Sequence, residues 1–563
     1  MSAQAKKVFV ISLDGATFRV LRPLIDQGYL PNIAAVIQDG FAAELESVVP
    51  AVTAPAWTSF MTGKHPSKHG IFGFTRFDPK DYTWKINNAQ HICSKTIWQI
   101  LSEKSKRVIV LNLPYTYPPY PVNGVIVCGW DSVSTQFTYP PELSKQILET
   151  MPGYDPNLWL CDVMPANSDE EHNQFVEKLI QGAMQSTQLA LHFLDKEPWD
   201  VFMVHFQQSD WIQHKLWGEI EKACDDPSNK SPRVEKVREC YQQLDKCVGT
   251  LLSKVAGQNP IKIILSDHGF GCHRGIIYPN YYLRQWGYLH PTRDDKKESF
   301  KSLKDFFRKS RLKAGRNLYK SVAKMRHAFD ARPTVEKYKQ YDSWVDYANR
   351  TFSGRRPLVD WSKSQAATVE TYQCAFLYIN LKGIGPNGVV EPGIQYEKIV
   401  ADLVSRFGQI RHPDTGEKLL SRVVRGRDIY SKGNPNVWLP DIILVPADGY
   451  NFSNAAMDAA PEPTKDGIHR PMGVLIIAGD LLKQPPASFA PKLIDMAPTI
   501  LHLLGLPVPA DMDGRVLEEI LADPKGVSHE DADNDLAPRE QVDYSAEDNQ
   551  IIEHRLKSLG YLE

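Results

Sequence analysis

The sequence predicts an α/β fold with a mostly parallel central sheet, helices on both faces and a large insertion. Short apolar runs such as KKVFVISLDG and IKIILSDHG are typical of strands buried on both faces. They alternate along the chain with longer runs whose apolar residues recur at helical spacing, and this alternation is typical of doubly wound sheets. After Trp286 the alternation stops for a long stretch, which indicates the insertion.

The first half of the chain gives the clearest sequence of elements. Strands are predicted at VFVISLDG, KRVIVLNLP, NGVIVCGW, WDVFMVHFQQSD and IKIILSDHG. Helices are predicted from Arg22 to Ile37 and over SKTIWQILSEKSK, EEHNQFVEKLIQGAMQSTQLALHFLDKE and VEKVRECYQQLDKCVGTLLSKVAG. In the second half, FLYINLKGI, PDIILVPAD and GVLIIAGD are predicted strands, and IDMAPTILHLLG is a predicted helix that ends at Gly505. We therefore predict a catalytic core in two parts, residues 1–290 and 431–522, with an insertion at 291–430 between them. A polar mobile linker with a short C-terminal helix is predicted at 523–563.

The insertion contains a strongly basic stretch. Ten Lys or Arg residues lie between Lys301 and Arg326 against a single acid, Asp305. Apolar residues interspersed among them predict an amphipathic helix or helix pair. A solvated face that covers the core is the simplest interpretation. The alternatives are a lid that attracts a phosphorylated substrate and a weak contact of residues 301–326 with an acidic surface such as membrane lipids.

Composition limits the classes of protein. A content of 42% hydrophobic and 23% charged residues is ordinary for a globular protein, and a net charge of -2 argues against general nucleic-acid binding. No stretch approaches the ~18 consecutive apolar residues of a transmembrane segment. The eight cysteines form no CxxC pair, which argues against a thiolate zinc site. Free thiols in a reducing cytoplasm are the expectation.

Five polar motifs carry the candidate chemistry. They supply three aspartates, three histidines and one threonine, in the order ISLDG (Asp14), AVTAPAW (Thr53), QQSDWIQH (Asp210, His214), ILSDHGF (Asp267, His268) and DGIHRPMG (His469). The first and fourth follow predicted buried strands, and ligands of open α/β sheets bind outside the carboxyl ends of the strands. The set suits two divalent metal ions and one nucleophile.

Local spacing divides these residues into groups. Asp210 and His214 are four apart, which places both side chains on one face of a helical turn, and His469 could supply the third ligand of their site. Asp14, Asp267 and His268 each end a predicted strand, which suggests a second metal. For Asp14 the alternative is a cap of the following helix.

Thr53 has two interpretations on local sequence. Pro55 suits the first turn of a helix, so that Thr53 would stand at or near its N-terminus, where a phosphoryl group is stabilised. It could be an N-cap without chemistry, or a nucleophile activated by a metal or a base. The probable presence of a metal cluster favours the nucleophile.

Taken together, the motifs resemble the alkaline phosphatase superfamily and most closely its type I phosphodiesterase/nucleotide pyrophosphatase family. The similarity covers Lys7 to about Gly287 and Asp466 to Leu517, with TGKHPSKHGIFGF and IDMAPTILHLLGLPVPADMDGRVL also typical. It implies an alkaline-phosphatase-like three-layer sandwich. It also implies two divalent ions, zinc or possibly manganese, one held by Asp14, Thr53, Asp267 and His268 and the other by Asp210, His214 and His469.

The resemblance implies hydrolysis of a phosphodiester or phosphoanhydride bond in a small phosphorylated substrate, through a phospho-threonine at Thr53. A phosphomonoesterase or phosphotransferase on the same core and a non-catalytic binding relative remain alternatives. In eukaryotic nucleotide pyrophosphatases the position that corresponds to Ala56 usually carries an asparagine that donates a hydrogen bond to a phosphoryl oxygen. This chain has alanine there, so the backbone amide of Ala54 is predicted to make that contact. Asn112 and Arg274 are further candidate substrate contacts. TAPAW lacks the arginine of the sulfatase motif, which argues against a sulfatase.

Overall fold

Two sheets of very different size organise the chain. The computed structural model describes residues 7–151, 153–155, 168–291, 359–371, 373–430, 433–435, 437–454, 466–524, 526–532 and 543–559. Within these ranges the strands are β1 (Val8–Leu13), β2 (Gly40–Glu46), β3 (Thr75–Asp78), β4 (Thr83–Ile86), β5 (Val108–Leu113), β6 (Gly124–Cys128), β7 (Thr138–Tyr139), β8 (Val201–Phe206), β9 (Ile261–Leu265), β10 (Gly269–Cys272), β11 (Gly275–Ile277), β12 (Ala366–Thr371), β13 (Ala375–Ile379), β14 (Leu420–Arg425), β15 (Ile442–Pro446), β16 (Tyr450–Phe452), β17 (Gly467–Arg470), β18 (Met472–Ala478), β19 (Val508–Pro509) and β20 (His529–Glu530).

Along the chain, most helices alternate with the strands of the large sheet. In the same ranges they are α1 (Phe18–Asp26), α2 (Pro31–Asp39), α3 (Thr53–Thr62), α4 (Pro66–His69), α5 (Ile97–Glu103), α6 (Glu142–Thr150), α7 (Asp169–Lys196), α8 (Gln208–Asp225), α9 (Pro232–Val255), α10 (Pro279–Gln285), α11 (Ile394–Gly408), α12 (Gly426–Ile429), α13 (Met496–Leu503) and α14 (Ala546–Leu559). One group packs α1, α2, α7, α8 and α9 together, and another contains α3, α5 and α13.

The large sheet has eight strands in the order β2-β18-β9-β1-β8-β5-β6-β7. The five strands from β9 to β6 run parallel, whereas β18 is antiparallel to both of its neighbours and β7 is antiparallel to β6. All six residues of β1 are buried, as are those of β5 and β8. The prediction of a mostly parallel sheet flanked by helices is therefore confirmed.

The predicted helix from Arg22 to Ile37 is wrong in one respect, because two helices occupy this segment. Helix α1 ends before Gly28, whose φ of +80° lies in the left-handed region that favours glycine. Helix α2 begins at Pro31, which suits the first helical position because it lacks an amide hydrogen. The apolar spacing continues across the break, so that spacing alone predicted one helix.

The small sheet is antiparallel, with the order β12-β13-β15-β14, and it has a hydrophobic core of its own. Strand β15 lies within the predicted second part of the core, 431–522, yet it pairs with β13 and β14 of the small sheet. The chain returns to the large sheet only at β18. The basic stretch 301–326 lies outside the described residues, and so does its predicted helix.

Part of the predicted mobile linker, 523–563, packs against the core. Asp543 pairs with Lys85 at 3.1 Å, and the buried Tyr544 donates its hydroxyl to the carbonyl of Asp131 at 3.3 Å. Helix α14 follows, so the helix is longer than its apolar sequence suggested. Among the described helices, none has the length and hydrophobicity needed to cross a membrane.

Candidate metal and active site

Neighbouring strands bring the first three candidate residues together. Asp14 directly follows β1, and Asp267 and His268 follow β9, which pairs with β1 in parallel. The turn after Asp14 is closed by Gly15, which has a φ of +64° and donates its amide to Asp267 Oδ1 at 3.1 Å. A Cβ at Gly15 would lie 2.7 Å from the ring of Phe270, so only glycine fits both the conformation and the space.

The nucleophile candidate begins a helix, as predicted. Thr53 is the first residue of α3, after the N-cap Val52, and every residue of that helix is buried. The hydroxyl oxygen of Thr53 lies 3.5 Å from Nε2 of His268. Ala54, the predicted source of an oxyanion contact, is buried in the same first turn. Thr53 therefore faces the end of β9 from the positive end of a helix dipole.

The other three candidates come from a helix and a short strand. His214 Nε2 lies 3.5 Å from Asp210 Oδ1, one turn earlier on α8. His469 is carried by β17, which pairs antiparallel with β10, and its Nε2 lies 2.9 Å from His214 Nε2 and 3.2 Å from Asp210 Oδ1. The same pairing stacks the rings of His469 and His268, with centroids 3.7 Å apart. All seven predicted residues thus lie in one cluster.

Two groups within the cluster have ligand atoms close enough for a single ion. In each group, one atom per residue lies within 4.8 Å of the others. One group is Asp14, Asp267 and His268, and the other is Asp210, His268 and His469. His268 thus lies between the two groups, whereas the family resemblance assigns it to one of them.

The cluster is buried, and burial controls its ionisation. Burial, followed by repulsion from Asp267 and Asp210, holds the pKa of Asp14 well above its usual value. Burial likewise raises the pKa of Asp267. It lowers the pKa values of His214 and His469 to about 3, so both imidazoles are neutral and retain a lone pair. A bound cation would relieve this accumulation of carboxylates.

The hydrogen-bond pattern directs the lone pairs toward the carboxylates. His469 Nδ1 lies 3.2 Å from the carbonyl of Ala51, and His268 Nδ1 lies 3.2 Å from the carbonyl of Gly269. A carbonyl only accepts, so Nδ1 carries the hydrogen in both rings and Nε2 carries the lone pair. His268 Nε2 is 3.3 Å from Asp267 Oδ2, a buried oxygen that no group in the described ranges donates to. Two lone pairs at this distance need a proton or a cation between them, and a metal ion can bind both, so the residues fit a metal site.

Three residues behind the cluster were not predicted. The indole nitrogen of Trp57 donates to Asp14 Oδ2 at 2.8 Å, and the amide of Gln207 donates to Asp210 Oδ2 at 3.2 Å. His205, a buried polar residue in the otherwise apolar β8, lies 3.0 Å from Gln207 Oε1. A histidine inside an apolar strand and a tryptophan four residues after Thr53 were the available sequence signals.

The two remaining substrate-contact candidates make contacts elsewhere. Asn112 donates its amide to Ser186 at 3.0 Å and accepts from the hydroxyl of Tyr154 at 3.1 Å, inside the core. Arg274 pairs with Glu417 at 2.6 Å and lies over the ring of Tyr450. Neither arrangement directs the side chain to the cluster, and the substrate contacts stay predictions.

A mostly parallel sheet flanked by helices, with buried carboxylates and imidazoles at its carboxyl edge, is the architecture of an alkaline-phosphatase-like fold. The sequence matches the family described as Type I phosphodiesterase / nucleotide pyrophosphatase over residues 8–471, most of the chain. The protein therefore belongs to this family of hydrolases, and the family resemblance of the sequence is confirmed.

The fold is also found in a solved structure of another hydrolase. Phosphonoacetate hydrolase from Sinorhizobium meliloti 1021 superposes with a TM-score of 0.50 at 14% identity, over 89% of this chain and 95% of that chain. Human ectonucleotide pyrophosphatase / phosphodiesterase 5 gives a TM-score of 0.47 at 14% identity, over 92% and 100% of the two chains. The first of these supports the fold alone. No match was found among curated protein sequences.

Proposed function

We propose that this protein cleaves phosphodiester or phosphoanhydride bonds in a small phosphorylated substrate, with Thr53 as the nucleophile. One observation carries the proposal. The hydroxyl of Thr53, at the N-terminus of a buried helix, lies 3.5 Å from His268, the residue shared by the two groups of candidate metal ligands. The proposed nucleophile, the helix N-terminus that would stabilise an anion and the candidate metal ligands therefore lie close together.

The proposed cofactor is a pair of divalent ions. Asp14, Thr53, Asp267 and His268 would hold one, and Asp210, His214 and His469 the other. Carboxylate and imidazole donors without thiolate suit zinc or manganese. When bound, such ions polarise the phosphoryl oxygens and activate hydroxyl nucleophiles.

The residues of the chain account for the remaining requirements of the reaction. The oxygen of Thr53 attacks phosphorus as the bond to the leaving oxygen breaks, and the proton that Thr53 loses ends on that leaving oxygen, which gives a phospho-threonine and a free hydroxyl product. The N-terminal dipole of α3, together with the amide of Ala54, stabilises the phosphoryl oxygens. Water then cleaves the phospho-threonine, which returns a proton to Thr53 and releases the phosphoryl product.

A cytoplasmic location is proposed from the cysteines. The seven cysteines in the described ranges are free. Burial raises the pKa of the Cys240 and Cys374 thiols to about 12, which suits unreactive core residues in a reducing compartment.

The proposed function is tested by hydrolysis of bis-p-nitrophenyl phosphate and p-nitrophenyl phosphate, before and after chelation and with zinc or manganese restored. We expect metal-dependent cleavage of the diester to dominate and Thr53→Ala to abolish it. Thr62→Ala is the matched control, because Thr62 is a buried threonine of the same helix whose hydroxyl donates to the backbone carbonyl of Thr58. Preference for the monoester would favour the phosphomonoesterase alternative. Full activity of Thr53→Ala would contradict the nucleophile assignment.

A further inference from the structure

The three carboxylates of the cluster share one pattern. In each, one oxygen accepts a hydrogen bond from the chain and the other faces an imidazole nitrogen. The donors are Trp57 for Asp14, Gln207 for Asp210 and the backbone amide of Gly15 for Asp267. The facing pairs are Asp14 Oδ1 with His268 Nε2 at 3.7 Å, Asp210 Oδ1 with His469 Nε2 at 3.2 Å and Asp267 Oδ2 with His268 Nε2 at 3.3 Å.

We propose that Trp57 and Gln207 are positioning residues that each fix which oxygen of one aspartate is presented to a metal ion. Trp57 would act on Asp14 and Gln207 on Asp210. The two side chains would then set the affinities of the two ion sites separately. The inference rests on the proposed function in that it takes the cluster as a metal site.

The indole of Trp57 has a single hydrogen-bond donor, and its ring packs against two neighbouring rings. It is fully buried one turn after Thr53, with its ring edge-on to His205 at 5.1 Å and to Phe60 at 5.6 Å. The indole nitrogen can only donate, so Asp14 Oδ2 is engaged and Oδ1 is left toward His268. Because Trp57 and Thr53 share α3, the same bond links the nucleophile helix to the end of β1.

Gln207 is oriented by a second chain of bonds. Its Oε1 lies 3.0 Å from His205 Nε2, and His205 Nδ1 lies 3.0 Å from the hydroxyl of Ser12. His205 Nε2 also lies 3.5 Å from Asp14 Oδ2, and a hydrogen on Nε2 suits both this carboxylate and the amide oxygen of Gln207. With that tautomer the amide oxygen accepts from Nε2–H, and the amide nitrogen points the other way, toward Asp210. A flipped amide would place its oxygen against the carboxylate. His205 therefore keeps Gln207 a donor to Asp210 Oδ2.

The expected effect of removing such a donor is known in size. Residues that orient metal ligands typically change metal affinity by about 10- to 100-fold when they are replaced. A freed carboxylate can rotate, and it then loses the preorganised oxygen. Because the two donors act on different aspartates, the two losses should fall on different ions.

The test is a calorimetric titration of zinc, and separately of manganese, into the metal-free full-length protein. We expect Trp57→Phe to weaken one binding step by about 10-fold or more and Gln207→Leu to weaken the other. His214→Ala, which removes a ligand on the Asp210 side, identifies which step belongs to which group. Trp57→Phe should leave unchanged the affinity of the binding step that His214→Ala removes. Gln207→Leu should lower the affinity of that same step.

A matched control separates positioning from packing. Trp98 is also fully buried, but its indole nitrogen has no hydrogen-bond partner among the described residues. Trp98→Phe should leave both affinities unchanged. Equal losses in Trp57→Phe and Trp98→Phe, or unchanged affinities in both positioning variants, would overturn the proposal. If Trp57→Phe does not fold, as judged by thermal unfolding of the metal-free protein, Gln207→Leu decides alone.

The same preparations distinguish this inference from the proposed function. Wild-type protein that binds two ions but cleaves neither nitrophenyl ester would count against the proposed function. The selective loss of one binding step in each variant would still support positioning. If the wild-type protein is active but the metal affinities of the variants are unaltered, the proposed function is supported and the positioning proposal is overturned.

Discussion

The large and small sheets differ in strand direction and in what the ends of their strands carry. In the large sheet, β1 and β9 run parallel, and each is followed within two residues by an aspartate. The small sheet is antiparallel, so successive strand ends lie at opposite edges. Parallel pairing therefore brings residues that are distant in sequence to one edge, and all three clustered aspartates come from the large-sheet region. Antiparallel pairing cannot do so for consecutive strands.

The small sheet and the described residues around it between 359 and 454, here called the small lobe, instead contact other parts of the chain. The hydroxyl of Tyr430 donates to the carbonyl of Val49, in the loop that precedes Thr53. Tyr82, in the β3–β4 hairpin, stacks on Trp361 with ring centroids 4.5 Å apart. Neither contact involves a candidate metal ligand. The comparison thus separates a region that carries the candidate ligands from one that contacts the loop before Thr53.

The largest expected difference between the two regions comes from removing one carboxylate in each. Asp267→Asn should lower diester hydrolysis on the order of 10³-fold, because an ion that supplies several kcal/mol of stabilisation loses a ligand. Asp441→Asn, at a partly buried aspartate of the small lobe, should leave hydrolysis nearly unchanged. Steady-state rates with matched metal content test both. Comparable losses would remove the functional distinction between the regions.

Metal should change the stability of the large-sheet region in a pH-dependent way. Burial raises the folded-state pKa of Asp14 and Asp267, so the folded metal-free protein retains protons that the unfolded chain loses. Its unfolding free energy should therefore fall as pH rises above about 4, until both groups ionise in the folded state. At a metal concentration 100 times Kd, binding adds about 3 kcal/mol. Thermal unfolding with and without metal should show a difference that widens with pH, and a constant difference would contradict this.

The small lobe has its own pH-dependent group. Burial raises the pKa of Asp441 to about 6, although it accepts from the amide of Ile379 and the hydroxyl of Tyr396, both at 2.7 Å. The folded state again holds a proton that the unfolded chain releases, so stability should fall between about pH 4 and pH 6 and level off above. Asp441→Asn should remove this slope and cost about 1 kcal/mol through the weakened bonds. Denaturant unfolding at pH 5 and pH 7 measures both effects, and an unchanged slope would refute the assignment.

The smallest effect is expected at the contact between the regions. Arg274 and Glu417 are both substantially exposed, so either alanine variant should change stability by no more than about 0.5 kcal/mol. A substrate role for Arg274 would raise KM in Arg274→Ala but not in Glu417→Ala. Equal kinetics in the two variants would leave Arg274 as an ion-pair partner only.

The sequence predicted the elements that depend on local spacing. The apolar runs became β1, β5, β8 and β9, the two long helical patterns became α7 and α9, and Thr53 begins a helix before Pro55. Asp210 and His214 share a helical face because their separation matches the helical repeat. Such features need only neighbours along the chain, and the order of the five motifs was enough to indicate the family.

Tertiary structure decided what depends on pairing between distant segments. The antiparallel register of β10 with β17 brings His469 against His268, and the approach of α3 to the end of β1 gives Asp14 its donor, Trp57. The same holds for β15, whose apolar pattern predicts a strand but not the sheet it joins. Residue periodicity specifies which face of an element is apolar. It does not specify the neighbour that covers that face, because the neighbour is chosen by the packing of the whole chain.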